Sequence, residues 1–354
     1  MNILVICPNW VGDAVMATPA LRALRRGFPN DRIVGLLRPV IADVLQGSDS
    51  FDSWFSWNPR GSKPLERTWS VLRALRRERI GLAVLFPNSF HSAVIAWMSG
   101  ASRRVGYARD GRGWLLTDRL EPIRSGGRFV PSPVIDYYLE IAKYLGCPRE
   151  SYRMSLVTSP AEERAADQVW HACGFGAAER LIVLNPGAAF GAAKCWPAAY
   201  FGELARRLGG LPGTHVLVLC GPDEQPIARE IVKRAGRPTV HSLADFRVSI
   251  GLSKACVRRA DLMISTDSGP RHFAAAFDVP IITLFGPTHI EWSETYFVKA
   301  AHLQKKVPCG PCQLRECPLD HRCMRELTPN DVFEAAIELL QRFPREPQPM
   351  RRTA

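Results

Sequence analysis

The chain has 354 residues, 46% of them hydrophobic, with 46 Lys and Arg against 34 Asp and Glu and a formal net charge of +12. Such a length exceeds what one core usually supports and predicts two domains, while the charge favours an anionic partner or surface over a cationic one. No apolar run reaches the roughly 20 residues of a membrane-crossing helix.

Residues 2–7 form the first apolar run, and with no basic leader before it they read as a core strand rather than an export signal, which predicts a cytoplasmic protein. In that compartment the ten cysteines are expected as thiols or metal ligands rather than structural disulfides. A helical pattern follows over 14–26, where Val15, Leu21 and Leu24 share an apolar face and Arg22, Arg25 and Arg26 face water. Further strands are expected at 32–37 and 81–86, and helices at 65–77, 89–98 and 134–145. Strand alternating with helix argues for parallel pairing, because crossover helices must cover the sheet.

An Ala-rich stretch over 158–179 predicts a linking helix, after which strands are expected at 181–185, 215–220, 261–265 and 280–285. The intervening helices begin near Pro197, Glu224, Gly251 and Gly269, with Pro197 suited to a first helical turn. A last helix spans 329–343, and 344–354 reads as a flexible tail.

Chemistry-bearing residues gather at strand-to-helix turns, where open α/β sheets bind ligands. Asn9-Trp10-Val11-Gly12-Asp13 follows the first strand. There Asp13 can accept a proton from an attacking hydroxyl, although spacing alone favours a helix N-cap. Trp10 is expected to shape an acceptor pocket, with packing an equal alternative. The turn 185–197 follows a later strand; its small residues permit close backbone approach and its Lys194 can neutralise a phosphate, but it lacks the Gly-Lys-Ser/Thr ending of a P-loop. Asp267-Ser268-Gly269 offers a second phosphate-compatible turn, ordered by Asp267 and followed by His272 in the first helical turn. In Pro222-Asp223-Glu224 the acids of a helix start are the slightly favoured reading, and Glu224 ranks above Asp223 as the candidate sugar contact.

Taken in order, 9–21, Arg103-Arg104-Val105-Gly106-Tyr107, 185–197, 265–272 and Phe285-Gly286-Pro287-Thr288 resemble the ADP-heptose:lipopolysaccharide heptosyltransferases of glycosyltransferase family 9. The similarity runs along nearly the whole chain and is closest to the heptosyltransferase II subgroup, which the cysteine-bearing segment 307–324 also resembles. It implies a GT-B architecture of two Rossmann-like α/β domains facing a central cleft, with a C-terminal helix returning to the first. The expected division is an acceptor-binding domain with linker over 1–174, an ADP-sugar-binding domain over 175–328, a crossover helix over 329–343 and the tail over 344–354.

The resemblance further implies metal-independent, inverting transfer of L-glycero-D-manno-heptose from ADP-heptose to the first heptose of the inner core on Kdo2-lipid A. Asp13 matches the general base, Lys194 the donor-phosphate lysine and Asp267 the acid of the donor loop, with Ser268 and Gly269 in its hydroxyl and glycine positions. Pro270-Arg271 departs from the family pattern before His272. Gly12, Arg60, Lys63 and Arg104 are carried as acceptor-side candidates, the basic ones lying in clusters (Arg60, Lys63 and Arg67; Arg103, Arg104, Arg109 and Arg112) suited to an anionic lipopolysaccharide core acceptor. A lipid-linked acceptor also implies transient contact with the cytoplasmic face of the inner membrane.

Cys309, Cys312, Cys317 and Cys323 present four soft ligands in a short span, with His321 in competition. Buried or oxidation-sensitive thiols are favoured there over structural zinc. A nucleotide-dependent oxidoreductase is disfavoured by the missing Gly-x-Gly-x-x-Gly, and a nucleic-acid binder by dispersed arginines without a docking motif. Heptosyltransferase I, acting on Kdo2-lipid A, is the nearest alternative within the family.

Overall fold

The computed structural model describes residues 1–176 and 179–344; the tail expected beyond residue 344 lies outside them. The chain divides into two compact units, one of Met1–Pro160 with His289–Phe297 and one of Ala161–Thr288 with Val298–Ala354. Thus the expected linking helix, found at Pro160–Cys173, packs with the second unit.

In the first unit the strands are β1 (Asn2–Ile6), β2 (Arg32–Leu37), β3 (Ser53–Ser56), β4 (Ile80–Leu85), β5 (Arg103–Tyr107) and β6 (Asp118–Leu120), followed by a small hairpin, β7 (Arg124–Ser125) with β8 (Arg128–Phe129). Helices α1 (Val11–Met16), α2 (Thr18–Gly27), α3 (Pro39–Leu45), α4 (Thr68–Arg77), α5 (Phe90–Met98) and α6 (Val134–Tyr144) accompany them. The main sheet has the order β3-β2-β1-β4-β5-β6, and every pair in it is parallel. Helices cover both faces, so its central strands are continuous apolar runs, and Leu4, Ile6, Leu36 and Leu85 share a core with Leu72 and Leu75 of α4 and Ile95 of α5.

The single helix expected over 14–26 is two, broken at Ala17. Pro19 lacks the N–H that would reach the Val15 carbonyl, and the Thr18 hydroxyl donates to that oxygen instead at 2.7 Å. This break leaves α1 as a short helix of six residues carrying Asp13.

The second unit repeats the plan with α7 (Pro160–Cys173), β9 (Arg180–Asn185), α8 (Ala198–Leu208), β10 (Thr214–Val218), α9 (Gln225–Ala235), β11 (Val240–Ser242), α10 (Ile250–Arg258), β12 (Leu262–Thr266), α11 (Arg271–Ala276), β13 (Ile281–Phe285), β14 (Ala300–Gln304), α12 (Arg322–Arg325) and α13 (Pro329–Arg342). Its parallel sheet has the order β11-β10-β9-β12-β13-β14. Both sheets therefore reverse strand direction of growth between their first and fourth strands, the point where doubly wound sheets open a ligand crevice. Helix α13, begun by a reciprocal Thr328–Asp331 capping box, packs on α8 and on β12–β14. Among the described residues no helix is long and apolar enough to cross a membrane.

Candidate active site

In the first unit the switch-point loops follow β1 and β4. Trp10, in extended conformation, is the N-cap residue of α1, which puts Asp13 at the third helical position and not at the cap. Trp10 makes no side-chain cap hydrogen bond, and Asp13 is not the N-cap residue that spacing favours. Asp13 is half-buried and lines a cavity of about 990 Å³ together with Asn9, Trp10, Asn88, Arg109 and Tyr137, a volume suited to a sizeable ligand. The neighbouring Tyr138 hydroxyl is driven well above its ordinary pKa, first by burial and then by the Asp13 charge, so it stays a neutral phenol.

Arg112 organises this wall. Fully buried, it donates to the Tyr107 carbonyl (3.0 Å), the Ser92 hydroxyl (3.0 Å), Asn88 Oδ1 (3.2 Å) and the Pro87 carbonyl, which fixes the loop after β4. Burial lowers its pKa to about 10, leaving it charged at neutral pH. Tyr137 donates to Asn88 Oδ1 at 2.6 Å and stacks on Tyr107 with ring centroids 3.6 Å apart. Arg109 lies over the Phe129 ring at 3.9 Å, and its buried Nε has no hydrogen-bond partner. The Arg109 residue itself lines the cavity and brings a cation to this wall.

A second chain segment completes the wall. Residues His289–Phe297, between β13 and β14 in sequence, belong to the first unit and supply Trp292 to the cavity. The segment is pinned by the Tyr296 hydroxyl, which donates to Asp136 Oδ2 at 2.7 Å, and by the Tyr152 ring 4.4 Å from that of Tyr296. Tyr296 adopts a left-handed φ of +57°, and one Glu294 oxygen accepts both the Thr295 and Tyr296 N–H groups at 2.7 Å. That fixed geometry holds the turn bearing Trp292.

In the second unit the switch-point loops follow β9 and β12, which pair directly with Asn185 opposite Ser265. Lys194 Nζ donates to Asp267 Oδ2 at 2.5 Å and to the Asp267 carbonyl at 3.2 Å. Asn185 Nδ2 donates to the hydroxyls of Ser265 (2.9 Å) and Ser268 (2.7 Å), while Thr288 donates to Asp267 Oδ2 at 2.8 Å. Arg271 approaches Asp267 Oδ1 at 3.5 Å. The Ser268 N–H, expected to face a phosphate, instead closes the tight turn onto the Thr266 carbonyl at 2.8 Å.

Burial alone would raise the Asp267 carboxyl, yet the charges of Arg271 and Lys194 and the hydrogen bonds from Lys194 and Thr288 outweigh it and hold the group below the usual carboxylate range. Two cations around one ionised carboxylate leave this turn net positive, as a diphosphate requires. His272 is buried and kept neutral, its pKa depressed by burial first and by Arg271, His302 and Lys194. Glu224 Oε2 accepts the Gly221 N–H at 2.8 Å, and the carboxylate lies so close to Gly187 that a Cβ there would stand 1.9 Å from Oε1. Glycine at 187 therefore lets the sugar-contact candidate overlie the start of the Lys194 loop.

The cysteine segment braces that loop. Arg315 O accepts the Ala193 N–H at 2.9 Å, His321 Nε2 bonds the Ala193 carbonyl at 2.8 Å, and a Cβ at Gly191 would meet Arg315 O at 2.3 Å. Cys309 and Cys312 are exposed, Cys317 half-buried and Cys323 buried, its thiol pushed up by burial and then by the other three cysteines. Among the described residues no three His, Cys, Asp or Glu side chains are grouped to hold a metal ion.

The sequence profile of glycosyltransferase family 9 (heptosyltransferase) matches residues 68–322. The chain belongs to that family. This glycosyltransferase is 27% identical to lipooligosaccharide heptosyltransferase 2 of Campylobacter jejuni subsp. jejuni and 25% identical to lipopolysaccharide heptosyltransferase 2 of Escherichia coli, in each case over 96% of this chain and 99% of the relative. The E. coli ADP-heptose lps heptosyltransferase II structure superposes with a TM-score of 0.78 at 23% identity, covering 97% of this chain and 99% of that one. A family 9 glycosyl transferase from Veillonella parvula gives 0.80 at 21% identity, covering 96% and 97%. Those likenesses establish the GT-B fold, with two parallel-sheet units and a C-terminal helix.

Of the residues singled out in the glycosyltransferase sequence, Asp13 and Trp10 line the first-unit cavity, with Gly12 buried in α1 beside them. Lys194, Asp267, Ser268 and Glu224 gather at the second-unit switch point, with Gly269 and His272 at the start of α11. Arg104 is committed to the carbonyls of Leu115 and Ala101, Lys63 pairs with Glu66 at 3.4 Å, and Arg60 is exposed; none of the three lines the cavity. Arg109, a member of the basic cluster in the sequence, does line it, as does Trp292, which carries no local motif.

Proposed function

We propose that this glycosyltransferase transfers heptose from ADP-heptose to the first heptose of the lipopolysaccharide inner core, with inversion at the anomeric carbon. The observation that carries the reading is an end-to-end match to relatives named heptosyltransferase 2 in several bacteria, joined to the placement of Asp13 in a ligand-sized cavity. The first unit takes the acceptor and the second the ADP-sugar. Asp13 accepts the proton of the acceptor hydroxyl as that oxygen bonds to the anomeric carbon and the bond to the β-phosphate oxygen breaks. ADP leaves with the bonding pair, and Lys194 and Arg271 take up its growing charge. Attack opposite the leaving group inverts the centre.

The acceptor's phosphate and carboxylate groups meet the guanidinium of Arg109, which lines the cavity, and Trp10 and Trp292 offer apolar faces to its sugars. The enzyme then works on the cytoplasmic side, at the surface of the membrane that holds the lipid. Catalysis uses no metal in this reading, and no nucleic acid takes part. Incubation of the enzyme and ADP-heptose with Kdo2-lipid A, with and without its first heptose, tests the assignment. Product is expected only from the heptosylated acceptor; product from the heptose-free acceptor alone would assign the first transfer instead.

A further inference from the structure

The first unit carries a surface that neither substrate explains. On α4, Trp69, Arg73 and Arg77 stand at intervals of four residues and all are exposed, Trp69 to 73%. On α5, Phe90 and Trp97 share an outer face, with Trp97 56% exposed. The turn after β5 adds Trp114, 67% exposed, whose ring centre is 6.1 Å from that of Phe90. Helices α4 and α5 pack together, and Arg76 Nε ties them by donating to the Met98 carbonyl at 2.8 Å. A lone exposed tryptophan is ordinary, but three on adjoining elements are not what a water-facing surface selects.

Charge identifies the occupant. Residues 60–79 contain seven Lys or Arg and two Glu, and both acids are already engaged, Glu66 by Lys63 at 3.4 Å and Glu78 by Arg32 at 3.5 Å. Indole rings favour the headgroup level of a bilayer, and clustered cations favour anionic lipid. We propose that the α4–α5 face is a docking surface for an anionic lipid bilayer, with Trp69, Trp97 and Trp114 entering the headgroup layer and Arg73 and Arg77 meeting lipid phosphates. The inference rests on the proposed lipid-linked acceptor only for its use, since binding is measured without either substrate.

The test is co-sedimentation of the full chain with vesicles of phosphatidylethanolamine and phosphatidylglycerol, against vesicles of phosphatidylcholine alone. Wild type should bind the anionic vesicles at least about tenfold more tightly, and added salt should weaken that binding. Trp69→Ser/Trp97→Ser and, separately, Arg73→Glu/Arg77→Glu should each lose about tenfold or more of it, with unchanged circular dichroism and unchanged turnover on a delipidated, soluble acceptor. Equal binding to both vesicle types, or wild-type binding by both folded variants, would overturn the docking surface. Vesicle binding that persists when the acceptor assay fails would leave the surface standing and sink the assigned reaction.

Discussion

Asp267 shows how a single side chain couples stability to the turn proposed to hold the donor. Its carboxyl is depressed in the folded state, so its contribution is complete above the unfolded carboxylate pKa of about 3.9 and is lost as pH falls through the lower folded value. Asp267→Asn leaves Lys194 and Arg271 facing each other without an anion, which at neutral pH should cost about 3 kcal/mol. Urea melts of both proteins at pH 7 and in acid should show that difference shrinking as the wild-type carboxyl protonates; a difference independent of pH would remove Asp267 from the charge balance of the turn. The residue was legible because it sits in a contiguous motif beside Ser268 and Gly269. Arg271 was visible as a departure from the family pattern, but its role was not, since its partner lies across the turn. The acceptor-side arginines illustrate the converse. A sequence cluster of Arg103, Arg104, Arg109 and Arg112 gives four side chains different environments: Arg103 pairs with Asp118, Arg104 and Arg112 bond carbonyls, and Arg109 alone lines the cavity. Spacing along a chain does not specify which of these a guanidinium will find.

Elements were read best where they are long and central. Strands β1, β2, β4, β9, β10, β12 and β13 were expected near their observed positions, because burial on both faces writes them as continuous apolar runs. The short edge strands β3, β6, β11 and β14 were not, since half-buried segments of three to five residues carry little pattern. The break between α1 and α2 depended on the Thr18–Pro19 pair, which an apolar periodicity does not register. Loop geometry also lay beyond spacing. Gly187→Ala would drive a methyl group into the Glu224 carboxylate; it should destabilise the second unit by about 1–3 kcal/mol and weaken ADP binding, measurable by thermal melts and calorimetry. An unperturbed ADP affinity would place Glu224 outside the donor site. The segment His289–Phe297 gives a parallel case in the first unit, since nothing near Trp292 in sequence announces a cavity formed by β1, β4 and α6. Trp292→Ala, and to a lesser degree Tyr296→Phe, should raise the acceptor KM several-fold by removing a contact made before and during transfer, while the donor KM stays fixed. Equal changes in both constants would point to a general loss of structure.

At the scale of the whole molecule, the same strand order is used twice, and each copy places the loops of its candidate site at the reversal in that order. Two units were legible from length and from the repeated alternation of strand and helix, and the family from motifs spread along the chain. Where the chain passes between units was not, because a short segment after β13 belongs by its packing to the first unit despite its position in sequence. The proposed reaction divides labour between the units, with proton transfer at Asp13 and leaving-group stabilisation at Lys194. These two functions separate kinetically. Turnover of heptosylated acceptor by Asp13→Asn, measured alongside ADP affinity, tests the division most directly: the account predicts a loss of about 100-fold or more in turnover with ADP binding intact, whereas Lys194→Ala loses both, at about 2–4 kcal/mol in the transition state. Near-normal turnover by folded Asp13→Asn would contradict it.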